Sequence, residues 1–294
     1  MSFTIVITGV SSGLGFKLAA HALKQGATVL GTVRNPERAS SVLSELSFIS
    51  SKFHSINVDM TDAARLPTVI ADTIKQHGPI DILINNAGYS VLGPLEHITN
   101  KQARHQIETN FFGPLALIQA ILPHFRERKA GTIVNITSVA GLNGLPSCGL
   151  YAASKFALEG MSESLASEVG PLGIRVILVE PGAFRTEFLS SSNLILGNDG
   201  KGWDAYQGNP ATTVIQKMQS MAGKQTGDPD KAAERIWDVV SGTGLGETLK
   251  GRGSDGKVLR VLLGSDSLVR MKTAIDLRQE TLKDLEEVAK SCDY

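Results

Sequence analysis

Cysteine is nearly missing from this 294-residue chain: Cys148 and Cys292 stand far apart, and no CxxC pair occurs. That excludes a disulfide scaffold and offers no zinc or dithiol motif. The 6 histidines show no HExxH-like spacing, so no metal site is expected. Net charge is missing too, because 29 Lys and Arg balance 29 Asp and Glu. No global field draws the chain to nucleic acid or to an anionic membrane. No apolar run approaches the ~18 residues of a membrane span. The start, Met1-Ser2-Phe3-Thr4, enters an apolar strand without the basic and apolar regions of a secretory signal. The expectation is a reduced, soluble, cytoplasmic protein. What is present is ordinary globular material: 42% hydrophobic residues can bury a sizeable core.

Strand and helix signals alternate through the first half. Phe3–Ile7, Thr28–Val33, Ile56–Asp59, Ile80–Ile84, Thr132–Ile136 and Val176–Val179 read as short apolar strands. Helices are predicted from the glycines after the first strand to about Gln25, from a Thr61 or Asp62 cap to about Gln76, over Lys101–Leu122, and from near Tyr151 to Val169. Near-continuous apolar strands between helices indicate a parallel sheet covered on both faces, with right-handed crossovers. The predicted fold class is α/β, a doubly wound, Rossmann-type sheet in a single domain over residues 1–294. Residues 1–190 are expected to carry cofactor and catalysis, and residues 190–294 a variable substrate loop and a C-terminal extension. In that second part Ser190–Asn209 reads as a loop, Thr212–Met221 and Lys231–Val240 as helices, Leu259–Leu263 as a last strand and Asp266–Lys290 as an amphipathic helix.

The chemistry-bearing residues fall at strand ends or on the helices that follow. Gly9, Gly13 and Gly15 form Thr8-Gly9-x-x-x-Gly13-x-Gly15 between the first strand and first helix. Glycines there let the backbone approach a pyrophosphate, which the free N–H groups of a helix start attract. The spacing differs from GxGxxG, and alone it also suits a tight turn with close helix–strand packing. Asn85-Asn86-Ala87-Gly88 ends the fourth strand, and Asp59 ends the third, where it could simply cap a helix. Tyr151 and Lys155 are four apart, on one helix face. A nearby ammonium lowers a tyrosine's pKa from its usual ~10 and fits it for proton transfer.

Taken together, the glycine turn, Asn85-Asn86-Ala87-Gly88, Asn110, Ser138, Tyr151-x-x-x-Lys155 and Pro181-Gly182-x-x-x-Thr186 resemble the short-chain dehydrogenase/reductase family in order and spacing, over residues 1 to about 190. The long tail resembles hydroxysteroid- and retinol-type members. The resemblance implies a hydride-transferring oxidoreductase that interconverts an alcohol and a ketone or aldehyde. Tyr151 is then the general acid/base, Lys155 holds the nicotinamide ribose, Ser138 orients the substrate oxygen, and Asn110 holds a relay water. Ser11, Ser12, Leu14 and Met60 join the cofactor site. Asp59 accepts from adenine, Pro181, Gly182 and Phe184 back the nicotinamide, and Thr186 meets its carboxamide or the pyrophosphate. Dimers or tetramers are common in the family.

The second strand ends without a carboxylate. Arg34 stands there, with Arg38 nearby, and a guanidinium can clamp a 2′-phosphate through two parallel hydrogen bonds. NADP(H) is therefore the expected cofactor. Around the nicotinamide the chain offers Tyr89, Val91, Leu92, Leu142, Asn143, Leu145, Phe184, Phe188, Trp203 and Met218, with Met218 and Met221 as an adaptable lid. Mostly apolar, they suggest a medium-sized apolar small-molecule substrate. The competing class is an NADP(H)-binding redox sensor without turnover; it would typically lose Tyr151 and Lys155. Epimerisation or dehydration on the same fold is a third reading.

Overall fold

The computed structural model describes residues 2–189 and 194–294. Seven strands form one parallel sheet: β1 (Thr4–Thr8), β2 (Thr28–Val33), β3 (Phe53–Asn57), β4 (Ile82–Asn85), β6 (Gly131–Ile136), β7 (Ile174–Pro181) and β9 (Leu259–Leu263), in spatial order 3-2-1-4-6-7-9. A separate two-stranded parallel ribbon pairs β5 (Ser90–Leu92) with β8 (Leu194–Leu196).

Side chains alternate between the two covered faces. Ile5, Ile7, Ile82, Ile84 and Val134 meet α1 (Gly13–Lys24), α2 (Ser40–Ile49) and α8 (Pro229–Ser241) on one face. Val6, Leu83 and Ile133 meet α3 (Leu66–His77), α5 (Gly113–Arg128) and α6 (Gly149–Val169) on the other. Both faces being apolar explains why these strands read as continuous hydrophobic runs. The order turns back between β1 and β4, so the carboxyl ends of these strands open the crevice where ligands bind in such sheets.

Several sequence boundaries shift. β3 starts at Phe53, ahead of the expected Ile56, because His54 and Ser55 pair along β2 despite their polarity. Neither Thr61 nor Asp62 caps α3, which begins at Leu66 with Pro67 in its first turn. The expected helix over 101–122 is divided: α4 (Asn100–Ile107), held by a Thr99–Gln102 capping box, then a five-residue π turn over Glu108–Phe112, then α5. The segment read as a loop over 190–209 contains β8 and short 3-10 turns, and its residues 190–193 lie outside the described residues. α7 spans Pro210–Ser220 and α9 spans Ser265–Lys290.

The candidate active site

The glycine turn is shaped by close approaches. Gly9 has φ +74°, and a Cβ on it would lie 3.0 Å from the Ala87 Cα. A side chain at Gly15 would run into the Gly9 carbonyl oxygen and the Asn86 amide. The two strand ends are stitched together by Thr8, whose hydroxyl accepts from the Asn86 and Ala87 N–H groups, 2.9 Å each. In return the Asn86 amide donates to the Thr8 and Gly9 carbonyls at 2.9 and 3.2 Å. Asn86 and Ala87 thus shape the turn from beneath.

Above it, the first turn of α1 carries no side-chain cap from Ser12, and Ser11 and Ser12 are exposed. A concave backbone with uncapped N–H groups fits a pyrophosphate. Across the opening stands Thr186: a Cβ on Gly13 would be 3.6 Å from the Thr186 Cβ. The turn after β7 therefore closes over the turn after β1. Leu14 and Phe184 instead pack partly against the core, and Met60 is buried against Gly113 at the start of α5.

Arg34 and Arg38 lie exposed beyond β2. Arg34 is near enough to influence both Asp59 and Tyr89. Burial raises the Asp59 carboxyl, but the Thr61 N–H and hydroxyl on its Oδ1, at 2.9 and 2.8 Å, together with Arg34 and His105, hold it below the usual range. Asp59 is thus a local turn cap whose carboxyl is held ionised near Arg34.

The four expected catalytic residues come together at the ends of β4 and β6. Asn110 is fully buried in the π turn, an irregularity common at functional sites. Its side-chain oxygen accepts from the Tyr89 N–H at 3.2 Å, and its amide donates to the Tyr89 carbonyl at 3.0 Å and the Ser154 hydroxyl at 3.1 Å. Lys155 is buried and donates to the Ile136 carbonyl at 2.8 Å. Gly88 leaves the room for it: a Cβ there would stand 3.2 Å from Asn110 Oδ1 and 3.7 Å from Lys155 Nζ. Ser138 follows β6, accepts from the Ala140 N–H at 3.1 Å, and hydrogen-bonds the Tyr151 phenol.

A family model described as short chain dehydrogenase matches residues 3–194. The chain is a short-chain dehydrogenase. It is 40% identical to the 3-ketodihydrosphingosine reductase of Bacteroides thetaiotaomicron, over 65% of this chain and 67% of that one. The solved structure of a short-chain dehydrogenase from Streptomyces avermitilis superposes with a TM-score of 0.85 at 33% identity, covering 100% of both chains. That of ElxO with NADP bound superposes with a TM-score of 0.68 at 26% identity, covering 89% of this chain and 98% of that one. Similarity to such enzymes supports an oxidoreductase.

In this short-chain dehydrogenase the electrostatics of the pair differ from the sequence reading. Close packing around the half-buried Tyr151 pushes its phenol up to about 12; the Ser138 hydrogen bond lowers it and Cys148 raises it. Lys155 Nζ is 5.7 Å from the ring centroid, and burial brings Lys155 down to about 8, opposed by Glu159. Desolvation outweighs the expected effect of the ammonium on the tyrosine. Tyr151 is thus a neutral phenol at neutral pH, the form that gives a proton.

The substrate-side residues separate into two groups. Phe188 remains over the site, its ring 5.8 Å from that of Tyr151. Tyr89 stands beside Asn110, and one oxygen of Asn143 is buried without a partner. By contrast, Leu92 and Trp203 are buried with Cys148, Leu194 and Ile215 in a satellite core, with Leu145 and Met218 packed against it. Val91 and Leu142 are also buried. These apolar residues pack the segment after β7 against β5 and the start of α6, which sequence periodicity could not distinguish from lining a pocket.

Sequence reasoning missed Asp266. The tail beyond Leu259 gave no sign of reaching the site, yet β9 pairs with β7 and delivers Asp266 to the turn after β7. Its Oδ2 accepts from the Ala183 N–H at 2.7 Å, and its carboxylate fills the space where a Gly182 side chain would be. An aspartate in the first turn of a helix looks locally like ordinary dipole pairing, so only the strand pairing reveals this contact.

Proposed function

We propose that the protein is an NADP(H)-dependent carbonyl reductase and alcohol dehydrogenase for medium-sized apolar substrates. The carrying observation is the convergence of Ser138, Tyr151, Lys155 and Asn110 beside a glycine cradle that Thr186 closes. Gly9, Ser11, Ser12, Gly13 and Gly15 would hold the pyrophosphate, Asp59 the adenine, and Lys155 the nicotinamide ribose. Pro181 and Gly182, braced by Asp266, would back the nicotinamide. Arg34, free at the end of β2, would take the 2′-phosphate. NADP in the related ElxO supports this choice. When bound, the dinucleotide supplies the hydride.

The protein's own residues do the rest. Ser138 donates to the substrate carbonyl oxygen and fixes its place. Tyr151 gives that oxygen a proton as the carbon is reduced, and takes it back in oxidation. Lys155 restores the proton to Tyr151. Phe188 and the residues around Tyr89 exclude water and favour an apolar substrate; the reductase activity on 3-ketodihydrosphingosine named for the Bacteroides relative points the same way. The test follows absorbance at the nicotinamide band with NADPH and a panel of ketones. Turnover of long-chain or polycyclic ketones is the expected result. Tight NADPH binding with no turnover across the panel would instead favour the sensor reading, and turnover of small charged keto acids alone would remove the apolar pocket.

No helix among the described residues is long and apolar enough to cross a membrane, and no group of His, Cys, Asp and Glu among them could hold a metal ion. The unpaired Cys148 and Cys292 suit a reducing, cytoplasmic setting. Self-association is part of the reading. The outer half of α9 exposes Leu282, Leu285 and Val288, and so short a bare helix is marginal in water. The whole of α9, with five basic and six acidic residues, lacks the basic excess an anionic membrane selects, so a second copy is the proposed partner. Light scattering should show a dimer or larger, and a Leu282→Glu, Leu285→Glu variant should sediment as a monomer. An unchanged mass would remove α9 from the interface.

A further inference from the structure

Tyr151 and Lys155 are followed on the same face of α6 by Glu159, one more turn along. Glu159 is buried, with its side chain against Gly141 in the turn that begins at Ser138. It pairs with Arg260 of β9. Arg260 also holds Glu180 of β7, fully buried, at 2.9 Å, and reaches the exposed Glu163 of α6. Two buried carboxylates and Arg260 therefore form one cluster, and Lys155 stands one helical turn of α6 before Glu159. Burying such charges is costly unless each is compensated.

Around Lys155 stand Tyr151 and Glu159 from α6, Asn110 from the π turn, the Gly88 backbone from the turn after β4, and the Ile136 carbonyl from β6. Among them Glu159 is the acidic group that acts on its charge. Glu159 itself faces Thr137, Glu163, Glu180 and Arg260.

We propose that Glu159 is a positioning residue of the reaction: held by Arg260 against Glu180, its carboxylate is the buried counter-charge that keeps Lys155 an ammonium beside Tyr151. The inference rests on the catalytic reading of Tyr151 and Lys155. Two buried carboxylate oxygens, Glu159 Oε1 and Glu180 Oε2, are without donors. The two carboxyls lie close enough to hydrogen-bond once one carries a proton. Burial pushes Glu159 up to about 7, with the Thr137 hydroxyl and Arg260 lowering it and Glu180 raising it. Glu159 is therefore ionised on the alkaline side of neutrality, where Lys155, at about 8, most needs support.

The test compares Glu159→Gln with the parent in the pH profile of kcat/KM for ketone reduction, and in the Nζ titration of Lys155 by NMR of ¹⁵N-lysine protein. Loss of the counter-charge should move the alkaline limb and the Lys155 titration to lower pH by roughly one unit, a tenfold loss on the alkaline side. The difference should shrink toward pH 6, where the parent's Glu159 is itself protonated. Superimposable curves, or an equal loss at every pH, would overturn the proposal and leave Glu159 a packing residue. If the parent reduces no ketone, the catalytic reading fails separately, and the Nζ titration still decides whether Glu159 governs Lys155.

Discussion

Tyr151→Phe is expected to lower kcat for ketone reduction by about a thousandfold, within the range that a positioned general acid contributes. The phenol hydrogen-bonds Ser138 and is held neutral by its surroundings. Phenylalanine keeps the ring and its packing on Phe188, 5.8 Å away, so the fold and the glycine cradle are untouched. NADPH affinity, read by nicotinamide fluorescence, should change less than about threefold. The pH dependence carries a sign as well. With Tyr151 protonated up to about 12, an alkaline loss of reduction is expected to follow Lys155, near 8. Parent-like single-turnover rates in the variant would remove Tyr151 from the proton-transfer step.

Arg34→Asp should weaken NADPH by about 100-fold, since one or two charge-assisted hydrogen bonds are replaced by repulsion. NADH should change by no more than a few-fold, because its ribose 2′-hydroxyl can donate to a carboxylate at this position. Arg34 is exposed, so the substitution leaves the core intact. Because surface charges are screened, the NADPH penalty should shrink as salt rises. Equal losses for both cofactors, measured by direct titration, would show that Arg34 does not read the phosphate.

Much of the site was legible because its requirements are local. Gly9 needs a left-handed φ next to Ala87, and Tyr151 and Lys155 need only helical spacing to share a face. Even the Arg34 reading uses only its place at the end of β2. Other features depend on partners distant in sequence. Leu92 and Trp203 have the composition of pocket walls, but the pairing of β5 with β8 turns them into a satellite core. Asn110 reads as a polar helix residue; the π turn and its bonds to Tyr89 and Ser154 become visible only when α6 packs beside it.

The apolar strand runs, their spacing and the glycine turn were sufficient to dictate a doubly wound sheet with its chemistry at the strand ends, because periodicity and backbone freedom are properties of neighbouring residues. The charge state of that chemistry was decided by folding. Burial set Tyr151 and Lys155 against the sequence expectation, β9 brought Arg260 to Glu159 and Glu180, and the turn into α9 brought Asp266 to Gly182 and Ala183. Desolvation and long-range pairing act through the packed interior, and no local pattern along a chain encodes them.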